Sequence, residues 1–257
     1  MVVIRHADLD GAREQASLIP AADGPPTGPT WRGEPLAKLR VSANYHLNFA
    51  RRRFWQHVVK GRLGVNHVQN YLTDRRYGGF AGGVKGSEQW RSGMLGFTSV
   101  DYAQLPKIFN GANGLEIQKD DVLVDVGCGK GRVINWWLGR GLGNRIHGLE
   151  LDEEIAGLAA ERLAQWPNVS VTSGDAVDHL PPEATILFMF NPFWGHVMER
   201  FKERIVEVYG ETSPIRIVYF MPMFEAVFRE DPRFVVEPTR KRTAYRTVVI
   251  RLAGAVA

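Results

Sequence analysis

The stretch from Val122 to Leu138, "VLVDVGCGKGRVINWWL", sets the reading of the whole chain. "VLVDV" (122–126) has the continuous apolar character of a strand buried on both faces, interrupted only by Asp125. Gly127, Gly129 and Gly131 follow at alternate positions, and an apolar-rich segment then reads as a helix over 131–140. A glycine-rich turn between a buried strand and a helix lets backbone approach a ligand closely, and the helix N-terminus offers free N–H groups to it.

Downstream, strand and helix alternate. "RIHGLEL", "VSVTS", "TILFMF" and "IRIVYFM" read as strands, and "DEEIAGLAAERLAQW", "GHVMERFKERIVEVYG" and the short "MFEAVFRE" as helices. "FVVEP" and "YRTVVIRLA" are strands with no helix between them, so they are expected to form an antiparallel hairpin at the sheet edge. The pattern predicts an α/β fold: a Rossmann-like, seven-stranded, mostly parallel sheet with helices on both faces and an antiparallel edge hairpin. An N-terminal helical cap precedes it.

The boundaries expected are a flexible arm over 1–30, closed by "PAADGPPTGPT"; a basic helical and glycine-rich cap or lid over 31–97; and the ligand-binding domain over 98–257. Within the cap, helix is expected from Pro35 to about Tyr77. The segment 78–96, rich in glycine, reads as a mobile loop or lid.

The chain has 257 residues and a net charge of +4. Trp31 to Arg91 carries 12 Lys or Arg against Glu34, Asp74 and Glu88, a local +9, so the remainder sums to −5. That asymmetry points to an anionic partner for the N-terminal segment. The single cysteine, Cys128, excludes an intramolecular disulfide and suits a cytoplasmic protein. No apolar run is long enough to span a bilayer, and no signal segment is evident. No metal is expected.

The glycine turn fits a nucleotide-type ligand, and its spacing narrows the choice. A dinucleotide fold wants G-x-G-x-x-G, but Arg132 stands where the third glycine would fall, and the P-loop pattern is absent. Glu150, ending the next strand, can accept from both hydroxyls of a ribose, with Leu151 placed to lie against a purine. Asp175, after the third strand, can accept from an adenine amino group, with Ala176 beside it. Asn191 and Pro192 follow the fourth strand in "FNPFWG".

At this point the chain resembles the class I S-adenosylmethionine-dependent methyltransferases. The resemblance covers about residues 95–252 and rests on "VDVGCGKGR", "HGLELDEE", "GDAVDHL" and "FNPFWG" in that order. It implies S-adenosylmethionine as cofactor, with Gly127, Gly129 and Gly131 lining its methionine part and Cys128 inside the same loop. Asp125 would anchor the loop or the amine, Glu150 would hold the ribose, and Asp175 and Ala176 the adenine.

On the acceptor side, "NPFW" resembles the Asn-Pro-Pro-aromatic motif of amino-group methyltransferases, with Phe193 in place of the second proline. The resemblance implies Asn191 and Pro192 binding the target N–H, and Phe193 or Trp194 stacking on a planar acceptor. "GFTSVDYAQLPKIF" is expected to start a helix capped by Thr98 or Ser99, and the hydroxyls of Thr98, Ser99 and Tyr102 would cover the cofactor's carboxylate end. Asp101 and Tyr102 are acceptor-side polar candidates, Tyr102 with a catalytic role. His46, His196 and Tyr219 are base candidates by chemistry alone.

The function expected is therefore methyl transfer from S-adenosylmethionine to a small-molecule acceptor carrying a carboxylate or phosphate, nitrogen favoured over oxygen. A nucleic-acid or protein methyltransferase docking substrate on the basic segment is the alternative. A non-catalytic cofactor-binding scaffold is the alternative of another class.

Overall fold

The computed structural model describes residues 62–79, 81–82, 84–85, 97–109, 115–239 and 245–255. The expected arm at 1–30, most of the cap and lid, and His46 lie outside them. All the described residues belong to one compact unit, Val41–Ala257.

The helices are α1 (Arg62–Arg76), α2 (Leu105–Phe109), α3 (Arg132–Gly139), α4 (Glu153–Leu163), α5 (Gly195–Tyr209) and α6 (Glu225–Arg229). A two-stranded antiparallel pair joins β1 (Val84–Lys85) to β2 (Phe97–Thr98). The main sheet contains β3 (Val122–Val126), β4 (Arg145–Glu150), β5 (Val169–Ser173), β6 (Ile186–Met189), β7 (Arg216–Phe220), β8 (Phe234–Pro238) and β9 (Thr247–Leu252).

Its order is β5-β4-β3-β6-β7-β9-β8. The first five strands pair in parallel, and β9 runs antiparallel to both β7 and β8. The hairpin expected from the last two strands is present, with its second strand inserted beside β7. Strand order reverses at β3, which lies between β4 and β6, and that reversal is where an open parallel sheet opens a crevice at its carboxyl edge.

Each central strand buries both faces, and the two-residue period assigns them. Val124, Val126, Leu187, Met189, Ile217 and Tyr219 face a core filled by Val197, Met198, Phe201 and Ile205 of α5 and Phe228 of α6. Leu123, Ile186, Phe188, Val218 and Phe220 face the other, with Leu105 and Phe109 of α2 and Val133, Ile134 and Trp137 of α3. On that period Asp125 falls on the α3 side.

Local chemistry accounts for the helix ends. The Asp152 carboxylate accepts from the Ile155 N–H at 3.1 Å to cap α4, and Glu153 and Glu154 complement its dipole. The helix expected from a Thr98 or Ser99 cap begins instead at Leu105. Phe97 and Thr98 are held in the pair with β1, the Ser99 hydroxyl donates to the Ala81 carbonyl at 3.0 Å, and the Asp101 carbonyl closes a turn with the Gln104 N–H. Pro106, at the second helical position, belongs in a first turn, where its missing N–H breaks no helical bond. Among the described residues no helix is long and apolar enough to cross a membrane.

Candidate active site

The turn after β3 is built from three left-handed glycines, Gly127 (φ 74°), Gly129 (φ 53°) and Gly131 (φ 78°). It is fastened to β4. The N–H groups of Gly127 and Cys128 both donate to the Leu149 carbonyl (2.8 and 2.9 Å), and the Gly129 N–H donates to Glu150 Oε2 at 2.8 Å. The fit requires a glycine on the strand beneath, because a Cβ on Gly148 would sit 2.8 Å from Cys128 Sγ. On the opposite side a Cβ on Gly127 would lie 2.9 Å from Pro192 Cβ. The loop is therefore wedged between the ends of β4 and β6, across the strand-order reversal.

Two buried acids lie beneath it. Asp125 is 3% exposed and its Oδ2 has no hydrogen-bond partner among the described residues. Burial, and then the nearby Glu150 charge, push its pKa well above the usual carboxylate range. Glu150 is also raised by burial, against which the Asp152 and Gly129 N–H groups work. Neither acid has an ion-pair partner among the described residues. A buried carboxyl with an orphaned oxygen beside a second acid is costly to ionise without a cation nearby. Burial, followed by the two carboxylates, pushes the Cys128 thiol far up, which leaves it a poor nucleophile.

Leu151, just past Glu150, exposes an apolar side chain on the rim, and Ala176 is buried. Asp175 Oδ1 accepts from the Val177 N–H at 2.9 Å, a local turn cap, while Oδ2 lies 4.0 Å from Arg200.

Beyond β6, Asn191 adopts φ 47°. Its amide donates to the Met221 carbonyl (2.8 Å) and accepts from the Tyr219 hydroxyl (2.8 Å) and the Met223 N–H (3.0 Å). The side chain ties the ends of β6 and β7 together and so sets Pro192 against the glycine loop. Phe193 is buried and packs on Phe201 with ring centroids 5.1 Å apart, so it fills core instead of presenting a stacking face. Trp194 is half-buried and meets Phe224 edge-on.

Residues 123–210 match the family model described as a methyltransferase domain. That segment carries a methyltransferase domain, in keeping with the resemblance to the class I S-adenosylmethionine-dependent methyltransferases. S-adenosylmethionine is the cofactor that this resemblance implies, and the two acids under the glycine loop have no ion-pair partner among the described residues. The chain is 28% identical over 144 residues to the ribosomal RNA small subunit methyltransferase A of Thermotoga neapolitana, covering 53% of this chain and 48% of that protein. It thus spans about half the length of that curated relative. Among solved structures it is similar to an RNA methyltransferase from Salinibacter ruber in complex with S-adenosyl-L-homocysteine (20% identity, TM-score 0.45, 60% of this chain and 93% of that one). It is also similar to an S-adenosylmethionine-dependent O-methyltransferase from Thermotoga maritima (17% identity, TM-score 0.42, 61% and 68%).

Several residues singled out from sequence lie at or just past the carboxyl ends of the adjacent strands β5, β4, β3 and β6: Asp125, the glycines, Cys128, Glu150, Leu151, Asp175, Ala176, Asn191 and Pro192. Tyr102, expected to have a catalytic role on the acceptor side, is buried. Its hydroxyl donates to Asp74 and accepts from Asn135, both at 2.8 Å, and burial pushes its pKa far up. Asp101 accepts from the Asn70 amide at 2.8 Å. Tyr219 is fully buried, and His196 is exposed on α5. Gly148 was signalled only by being a glycine inside a strand. Asp74, Asn135 and Arg162, which pack behind the loop, carried no local signal.

Proposed function

We propose that the protein transfers the methyl group of S-adenosylmethionine to a planar, nitrogen-bearing small molecule at the carboxyl edge of the sheet, beside the glycine loop and Pro192. The observation that carries this reading is the glycine loop wedged between Pro192 and the two buried, unpaired carboxylates. Asp125 would face the cofactor's cationic end. Glu150 keeps lone pairs beyond its two backbone bonds and would take the ribose. Leu151 and Ala176 would bracket the adenine, with Asp175 Oδ2 accepting from its amino group. Bound there, the cofactor supplies an electrophilic methyl group open to in-line attack.

The protein's own part is positioning and exclusion of water. Asn191 fixes Pro192 through three hydrogen bonds. Half-buried Trp194, next but one in sequence, is the aromatic surface available to a flat acceptor. A neutral nitrogen attacks with its own lone pair, whereas a hydroxyl needs a base. Asn191 and Tyr219, the polar side chains beside Pro192, are committed to each other, which favours nitrogen.

A nucleic-acid acceptor is the second reading, and one feature favours it. A cavity of about 370 Å³ between α1 and α3 is lined by Arg76, Tyr77, Trp136 and Arg140, with no acid among its lining residues. Guanidinium and aromatic groups together suit a phosphate and base.

Thermal shift tests the main reading. S-Adenosylhomocysteine at about 100 times its Kd adds about 2.7 kcal/mol, or roughly 5–10 °C for a chain of this size, and NAD is expected to add nothing. Equal shifts, or none, would reject it. Acceptor affinity that falls steeply with salt would favour the second reading.

A further inference from the structure

We propose that Arg162 is a positioning residue for the cofactor loop and that, through it, helix α1 is mechanically joined to the cofactor site. The inference rests on reading 127–131 as that loop.

Arg162 stands in the last turn of α4 and passes behind the turn. Its Nη2 donates to the Lys130 carbonyl at 2.6 Å. Its Nη1 donates to Asn135 Oδ1 of α3 at 2.8 Å and to the carbonyl of Tyr77, just past α1, at 2.6 Å. Lys130 lies between two left-handed glycines, so its peptide unit can flip at little steric cost. A charged donor on that carbonyl selects one orientation. The selection is tight, since a Cβ on Gly131 would lie 3.0 Å from Arg162 Nη2. Gly78, at φ 90°, brings the end of α1 down on the same side chain, where a Cβ would meet Arg162 Cγ at 3.2 Å.

The connection continues without a break. Asn135 donates to the Tyr102 hydroxyl, which donates to Asp74 of α1 (both 2.8 Å). Asp74 pairs with Arg132, the first residue of α3, at 2.7 Å, and Arg132 also donates to the Val100 carbonyl at 3.3 Å. Asp74 and Asn135 are fully buried and Arg132 is 7% exposed. Arg132 is a cation at a helix N-terminus, where the dipole disfavours it. It is held there by Asp74, a residue of the upstream segment. The glycine turn and α1 therefore share one buried set of hydrogen bonds, with Arg162 at the junction.

The test compares Arg162→Met and Arg162→Lys with Arg216→Met. Arg216 bonds to Asp121 and to the Glu116 carbonyl at the amino edge of the sheet, away from the loop. Hydrogen exchange of peptides covering 74–79 and 127–132 is measured without cofactor, and S-adenosylhomocysteine affinity by calorimetry. In Arg162→Met both segments are expected to exchange about tenfold faster and the Kd to rise about tenfold. Arg216→Met, at a matched loss of Tm, should change neither by more than about twofold. Arg162→Lys, which keeps one donor, should fall between. If Arg162→Met does not fold, Arg162→Lys carries the same comparison. Exchange in both segments indistinguishable from the Arg216→Met control would overturn the proposal. Because exchange is read without cofactor, a wild-type protein that binds no S-adenosylhomocysteine would reject the cofactor reading and still leave this one decided.

Discussion

Replacing Asp125 by Asn removes a charge that the unliganded fold holds at a disadvantage. The carboxylate is 3% exposed, its Oδ2 is unpartnered among the described residues, and Glu150 adds repulsion. Its folded pKa is raised above the unfolded value. Below the ordinary carboxylate range both states are protonated and nothing is lost. As pH rises from the ordinary carboxylate range toward the raised folded pKa, the unfolded state ionises while the folded state keeps its proton, so stability falls until the folded group ionises in place. An unsatisfied buried polar group costs about 1–3 kcal/mol, and more when charged, but the Asn amide also lacks partners. The net gain expected for Asp125→Asn on the alkaline side is about 1 kcal/mol, or roughly 2–4 °C in Tm. Binding should move the other way. Losing a charged hydrogen bond to the cofactor's cationic end costs about 1.5–3 kcal/mol, a Kd about 10- to 100-fold weaker. Melting curves across pH and calorimetry with S-adenosylhomocysteine read both effects. A variant that melts below wild type at every pH and binds the nucleoside equally well would refute the reasoning.

Gly148→Ala places a Cβ 2.8 Å from Cys128 Sγ and lifts the loop off β4, so affinity for S-adenosylhomocysteine is expected to drop by about tenfold or more while most of the sheet persists, as calorimetry and circular dichroism would show. Cys128, buried and with its thiol pKa pushed up, should resist iodoacetamide in the native protein at about pH 8 and react on unfolding, as mass spectrometry would report. Trp194→Ala should raise the acceptor KM by about tenfold and leave cofactor affinity within about twofold, since the proposal gives the ring to the acceptor and not to the cofactor.

The sheet was legible because its central strands are buried on both faces. "VLVDV" and "TILFMF" are nearly unbroken apolar runs, and helices with clear apolar spacing separate the strands. The carboxyl edge of the sheet was legible for a related reason: parallel strands end on one edge, so Asp125, Glu150 and Asp175 could be placed there by counting. Side-chain direction could not. Phe193 and Trp194 are neighbours of like chemistry, and only packing against Phe201 shows that Phe193 points into the core. Ser99 looked like a cap, but the better cue was Pro106, which belongs in a helix's first turn. The bonds from Arg162 span 32 residues to Lys130 and 85 to Tyr77, and no periodicity records such pairings. Arg132 did leave a trace, as a cation at the wrong end of a helix.

The most direct measurement is a crystal structure with S-adenosylhomocysteine. The nucleoside is expected in the crevice bounded by Gly129, Glu150 and Pro192, with its ammonium end toward Asp125. Density in the cavity between α1 and α3 instead, with the crevice at the carboxyl edge of β3 and β4 empty, would contradict the account.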